Sequence, residues 1–276
     1  MFYGDGAIHV KGVGLFRSGG GKRGEIKGFS RASRLRLWSL LASLDYEAIR
    51  RDYYVYFVTL TIQADAWKER PNMRALKRAL NAFWVSMKEK WGEEIGVIWK
   101  LEYTKQDVAH IHFLLITKER FKKLKPWITK AWPRVFMRAL GFKSEDERIK
   151  RMLKASTNIE PVPTVENLLQ YLGKYTAKTV ENVQNWTGRM WGVVNKKFIN
   201  RFKRVEVVAH RNPEVFWKVR RAVVRWIKKN RKKPYKLQGA FDGVWVFFTT
   251  KAFKRDLERF LKTEIEKQGV EYGSKD

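Results

Sequence analysis

The chain has 276 residues, 44% of them hydrophobic and 14% aromatic, which is ample for a sizeable core and excludes a wholly disordered protein. Lysine and arginine number 58 against 28 aspartates and glutamates, and the resulting formal charge of +30 calls for a polyanionic partner. Cysteine is absent, which excludes disulfides, thiolate zinc sites and thiol catalysis. Any metal must then be held by His, Asp, Glu or Asn. No apolar run reaches the roughly 18 residues of a membrane span, and the N-terminus is not a signal peptide. Nucleic acid is therefore the expected partner, with no membrane and a cytoplasmic location.

In chain order, residues 1–30 are rich in glycine and basic residues. Gly19–Gly24 lacks the spacing of a phosphate-cradling loop, because Phe16 stands where the first glycine is needed and no Ser or Thr follows Lys22. This stretch reads as a flexible basic segment. Helical spacing of Leu37, Trp38, Leu41, Leu44 and Ala48 predicts a helix over 33–50. The run from Tyr53 to Ile62 is β-branched and aromatic, and predicts a strand. Pro71 then opens a helix with Leu76, Leu80, Phe83, Trp84, Met87 and Trp91 on one face. Two strands follow, Val97–Tyr103 and His110–Thr117, then a helix over 119–140 interrupted at Pro133. Another helix is predicted from about Thr164 to Val180, and another over 213–230. A strand at Val244–Thr249 and an amphipathic helix over 251–267 complete the reading. This order points to an α+β fold with an antiparallel sheet.

Two of the four histidines stand as His110-Ile111-His112. On a strand, residues two apart share a face, so both imidazoles project together. If residues 105–109 form the hairpin loop, Thr104 pairs with His110 and Glu102 with His112, which puts Glu102 on the histidine face. Two imidazoles and a carboxylate with open positions suit one divalent ion, manganese or magnesium, that also holds a phosphate oxygen. Read alone, His-x-His fits a half-exposed hydrogen-bonded pair at least as well. Glu102 in register and the tyrosine motif that follows in the chain shift the balance.

The helix after Pro163 carries Tyr171-Leu-Gly-Lys174-Tyr175-Thr-Ala-Lys178, the pattern Tyr-x-x-Lys written twice. Positions 171, 174, 175 and 178 share one helical face. A phenol with a pKa of about 10 needs help to attack phosphorus, and a neighbouring ammonium stabilises the phenolate. As an isolated motif it describes a solvated helix face equally well. The doubled form, about sixty residues after His-x-His, is far less common by chance.

Together these motifs resemble the HUH replication initiators of rolling-circle phages and plasmids, near the filamentous-phage gene II type. The resemblance rests on Phe57-Val-Thr-Leu-Thr-Ile62, on His110-Ile-His112 preceded by Glu102, and on the doubled tyrosine motif. Gly188-Arg-Met-Trp191-Gly192 is similar to the region that follows in that family. The resemblance spans roughly residues 53–195. It implies a central five-stranded antiparallel sheet flanked by helices, an RRM-like palm, with extra N- and C-terminal elements. It also implies metal ligands His110, His112 and Glu102, catalytic Tyr171 and Tyr175 assisted by Lys174 and Lys178, and a 5′-phosphotyrosyl intermediate with a free 3′ hydroxyl. Single-stranded origin DNA, as a hairpin, is the implied substrate, with a host helicase and polymerase as partners.

On this reading residues 1–52 are a basic N-terminal segment and helix, 53–210 the endonuclease domain, and 211–276 a helix-strand-helix extension packed on or beside the core. Phosphate contacts are expected from Arg74, Lys77 and Arg78 and from Lys228, Lys229, Arg231, Lys232 and Lys233. Trp67, Trp99, Trp127, Trp132, Trp186 and Trp191 are either base-stacking platforms or core. The alternatives are an HUH single-strand transposase or relaxase, or a non-catalytic basic protein with an RRM-like sheet.

Overall fold

The computed structural model describes residues 2–3, 7–11, 29–62, 64–69, 72–103, 108–143, 147–164, 189–203, 205–206, 213–229, 235–240, 243–248 and 251–268. The expected α+β fold is present. Its centre is an antiparallel five-stranded sheet built from β3 (Tyr54–Thr61), β4 (Ile95–Tyr103), β5 (Ala109–Thr117), β6 (Thr157–Pro161) and β7 (Trp191–Val194). The strand order is β6-β3-β5-β4-β7. β5 thus lies in the middle, paired with β3 on one edge and β4 on the other.

One face of this sheet is covered by α4 (Met73–Trp91) and α5 (Phe121–Ala139). α4 starts at Asn72, whose side chain accepts the Ala75 amide at 2.9 Å. Its stripe of Leu76, Leu80, Phe83, Trp84 and Met87 is buried, and Trp84 meets Phe113 of β5 edge-on at 5.1 Å. Trp132 of α5 is fully buried and donates to the Thr61 carbonyl at 3.2 Å. α5 carries Pro126 and Pro133 inside it, so the interruption expected at Pro133 does not occur. Buried Ile128, Trp132, Phe136 and Met137 hold the helix on both sides of Pro133. That packing outweighs the backbone hydrogen bond a proline removes.

The helix expected over 33–50 is two helices, α1 (Arg31–Ala42) and α2 (Tyr46–Asp52). Asp45 caps α2 through the Ala48 amide at 3.0 Å, while the Asp45 amide is drawn off to the Phe202 carbonyl at 2.8 Å. A continuous helix would forfeit both bonds. Three further helices of this region escaped the sequence reading: α3 (Ala64–Glu69), α6 (Glu147–Ala155) and α7 (Lys196–Asn200). α7 lies against β4 where Gly96 has no side chain, and a Cβ there would meet Phe198 Cδ1 at 2.7 Å and overlap Ile199.

A second antiparallel five-stranded sheet joins β1 (Phe2–Tyr3), β2 (Ala7–Lys11) and β8 (Val205–Glu206) to the hairpin β9 (Tyr235–Ala240) and β10 (Gly243–Phe248). Its order is β8-β1-β2-β10-β9. The start of the supposed flexible segment is therefore strand, and the C-terminal extension holds two strands rather than one. Residues 12–28 lie outside the described residues. Helices α8 (Pro213–Lys229) and α9 (Lys251–Glu266) match their expected spans, and Trp226 stacks on Phe260 between them at 5.8 Å.

Because α7 needs the bare backbone at Gly96, Gly96→Ala is expected to lower stability by about 1–3 kcal/mol through overpacking. Chemical denaturation of the two proteins reads this directly, and an unchanged midpoint would show that α7 is not seated as described.

Candidate functional site

Alternation along β5 puts Ile111, Phe113 and Leu115 under α4 and α5, and turns His110, His112, Leu114 and Ile116 to the opposite face. Directly opposed residues share a face in an antiparallel pair. One row therefore crosses the whole sheet on the histidine side: Asn158, Thr59, His112, Lys100 and Trp191, one from each strand. The adjoining row is Thr61, His110 and Glu102. The other end of this face is apolar, with Leu114, Ile98 and Ile116, and α7 packs at Gly96.

The register differs from the expectation. Glu102 stands opposite His110, and Lys100 opposite His112. The Glu102–His112 and Thr104–His110 pairs do not form, and Thr104 lies outside the described residues. The slip is two positions, and with a side-chain period of two it leaves every residue on its expected face. Polarity alone cannot separate these two registers. The difference lies in where the hairpin closes, which is Tyr103 against Ala109.

Glu102 and His112 meet across the diagonal, with Glu102 Oε2 3.6 Å from His112 Nε2. The other ring nitrogen, His112 Nδ1, is 3.0 Å from Thr59 Oγ1. If Nδ1 carries the proton and donates it to Thr59, the Nε2 lone pair is left facing the carboxylate. Such an outer hydrogen bond is how metal-binding imidazoles are oriented. The second Glu102 oxygen, Oε1, accepts from Lys100 Nζ at 2.5 Å. Lys100 and Glu102 are only 4% and 5% exposed, so the pair is buried. The Lys100 ammonium also lies 5.1 Å from the centre of the Phe29 ring. His110 is half-buried, with its ring centre 6.1 Å from that of His112.

Two donors bound at about 2.1 Å to one ion stand roughly 3.0–3.4 Å apart. The 3.6 Å between Glu102 and His112 fits that geometry with little adjustment. Among the described residues, no three His, Asp or Glu side chains are grouped closely enough to hold a metal ion as they stand. His110 shares the face, but its ring does not join the Glu102–His112 pair. Lys100 is the residue that sequence reasoning missed. The alternation Trp99-Lys100-Leu101-Glu102 places it on the Glu102 face and was the available signal.

Tyr171, Lys174, Tyr175 and Lys178 lie outside the described residues, as do Trp186, Arg231, Lys232 and Lys233. Arg74, Lys77 and Arg78 are on α4 and so belong to the layer covering the opposite face of the sheet from the histidines. Lys77 is half-buried, and loss of solvent pulls its ammonium pKa below the usual lysine value. Lys228 and Lys229 are exposed on the last turn of α8. Trp67 and Trp132 are core, while Trp99, Trp127 and Trp191 are half-buried against it.

Residues 55–180 match the family described as replication-associated protein, ORF2/gene 2 protein. The match supports a replication-initiator type, a role that entails DNA binding, and it encloses Thr59, Lys100, Glu102, His110 and His112. No curated protein and no solved structure matches the chain. Among the described residues, no helix is long and apolar enough to cross a membrane.

Removing one partner of the buried pair leaves the other charge stranded. Lys100→Met is therefore expected to cost about 3–5 kcal/mol, and Lys100→Met with Glu102→Leu to recover most of it. Urea unfolding of the single and double variants checks this; equal stability of wild type and Lys100→Met would mean that the pair is solvated.

Proposed function

We propose that the protein initiates rolling-circle replication as a metal-dependent nickase of single-stranded origin DNA, of the HUH class. The observation that supports this best is the Glu102 carboxylate facing His112 Nε2 at 3.6 Å, on the face that also carries His110, inside the region matched to replication proteins. In this reading His112 and Glu102 would hold one divalent ion, manganese or magnesium, with His110 turned toward them from its place on the same face. When bound, that ion polarises the scissile phosphate. Thr59 fixes the His112 ring. Lys100 engages one Glu102 oxygen and leaves the other aimed at the site.

Tyr171 or Tyr175 is the nucleophile. Its phenol oxygen forms a bond to phosphorus while the bond from phosphorus to the 3′ oxygen breaks. The electron pair leaves with the 3′ oxygen, which takes up a proton and becomes the free hydroxyl that primes synthesis. The phenol proton passes to water or another base, and Lys174 or Lys178 stabilises the phenolate. In the reverse reaction a 3′ hydroxyl attacks the phosphotyrosyl phosphorus and forms the new phosphodiester while the tyrosine oxygen leaves and is reprotonated, which rejoins the ends; a second tyrosine would make the second cleavage that supplies that hydroxyl. The implied partners are an origin hairpin and a host helicase and polymerase, in the cytoplasm.

A non-catalytic RRM-like protein would use the same sheet face as an aromatic platform for bases. The central row instead carries Thr59, His112 and Lys100, which favours the enzymatic reading. Covalent adduct formation tests it. The protein is incubated with labelled single-stranded oligonucleotides, including candidate origin hairpins, and manganese, then denatured and run on a gel. The expected result is a metal-dependent slower band. It is absent from His112→Ala, and only the Tyr171→Phe/Tyr175→Phe double variant abolishes it fully if both tyrosines act. Loss with one single variant assigns a lone nucleophile. No adduct under any of these conditions, with metal-independent binding retained, rejects the nickase.

A further inference from the structure

Beside the site lies a cleft of about 280 Å³ between α1 and the β7–α7 segment, lined by Arg36, Ser39, Trp191, Lys196, Asn200 and Lys203 among others. Every lining residue falls outside the stretch matched to replication proteins. We propose that this cleft binds the single-stranded DNA that adjoins the cleaved phosphate, with Trp191 stacking on a base and Arg36, Lys196 and Lys203 taking backbone phosphates. The proposal rests on the nickase reading for what happens next door, but not for the binding itself.

Four observations carry it. The cleft adjoins the site, because Trp191 both lines it and stands in the cross-strand row with Lys100 and His112. Two strand spacings separate Trp191 from His112, roughly 10 Å, which puts the cleft within reach of nucleotides next to the scissile one. The lining is one-signed: Arg36, Lys196 and Lys203 are exposed, and no acidic side chain is among the described lining residues. The indole is also held in place, since Trp191 Nε1 donates to Ser33 Oγ at 2.8 Å while the residue stays half-buried. A basic groove with a fixed aromatic plane is the combination that single-strand binding uses.

One wall of the cleft is braced by Asn195. Asn195 takes a left-handed conformation, φ 53°, which asparagine tolerates well. Its side-chain amide donates to the carbonyls of Glu93 and Ile95 at 2.6 and 3.1 Å, and its side-chain oxygen caps α7 through the Phe198 amide at 3.3 Å. α7 is thereby tied to the start of β4. Lys196 sits in its first turn, while Asn200 and Lys203 lie at and just beyond its end.

The test is fluorescence anisotropy of the full chain with labelled oligo(dT) in EDTA, so that no cleavage chemistry is involved. Arg36→Gln/Lys196→Gln/Lys203→Gln alters only exposed side chains and is expected to fold. It should weaken binding at least tenfold at 0.1 M salt and reduce the slope of log affinity against log salt by about 2, as expected for three single-strand phosphate contacts. A control with the same charge loss, Lys122→Gln/Lys125→Gln/Lys130→Gln on α5, should change affinity no more than two- to threefold. Equal losses in the two triple variants overturn the cleft, as does a cleft variant that keeps wild-type affinity and salt slope. The adduct assay is read separately. Wild-type protein that binds oligo(dT) through the cleft but forms no adduct would sink the nickase and leave the cleft standing.

Discussion

The central strand Ala109–Thr117 is hydrogen-bonded along both edges, so its side chains can leave the sheet only up or down. Every other feature of the core follows from that restriction. Ile111, Phe113 and Leu115 must find apolar cover, and α4 and α5 supply it with Trp84, Phe83 and Trp132. His110 and His112 must then face the other way, onto the side where the Lys100 ammonium lies by the Phe29 ring and α7 packs farther along at Gly96. Chemistry and core are thus placed by the same alternation. A change that reversed the faces of β5 would put imidazoles under Trp84 and isoleucine into the site.

Within the polar layer, the Lys100–Glu102 pair is not explained by stability. A buried ion pair seldom outperforms two well-packed apolar residues, because each charge loses its water. Its local effect is geometric. One carboxylate oxygen is engaged by Lys100 and the other is left directed at His112, just as Thr59 engages one imidazole nitrogen and leaves the second directed at Glu102. Each of the two groups that face one another is braced from behind by a neighbour in the adjoining row or strand.

Much of this architecture was legible in the sequence, and the gaps have physical causes. Long periodic segments such as Met73–Trp91, Pro213–Lys229 and Lys251–Glu266 announce themselves, because an amphipathic helix repeats its pattern over several turns. The face of Glu102 was legible too, since period-two alternation fixes sidedness. Its exact partner was not, because a slip of two residues leaves the polar pattern unchanged. The edge strands β6 and β7 were missed for a related reason. Thr157–Pro161 buries only Ile159, and Trp191–Val194 is half-buried throughout, so neither shows a run that stands out. The division of the helix at Asp45 depends on a bond to Phe202, a partner far along the chain that no local window contains. The cleft at Trp191 was hidden for the same reason, since it exists only once segments distant in the chain are laid side by side.

The second sheet has β2 at its middle, and one edge of β2 is filled by β10. The strand Ala7–Lys11 thus waits for a partner, Gly243–Phe248, that the ribosome makes only after the whole of the first sheet. During synthesis the replication-like core can assemble while that edge of β2 remains open, and the second sheet closes only when its hairpin has emerged. Contacts of such long sequence separation form slowly and leave edges exposed to wrong partners meanwhile. The order of events makes a late segment the shield of an early one, so that emergence of the β9–β10 hairpin and protection of Ala7–Lys11 become a single step.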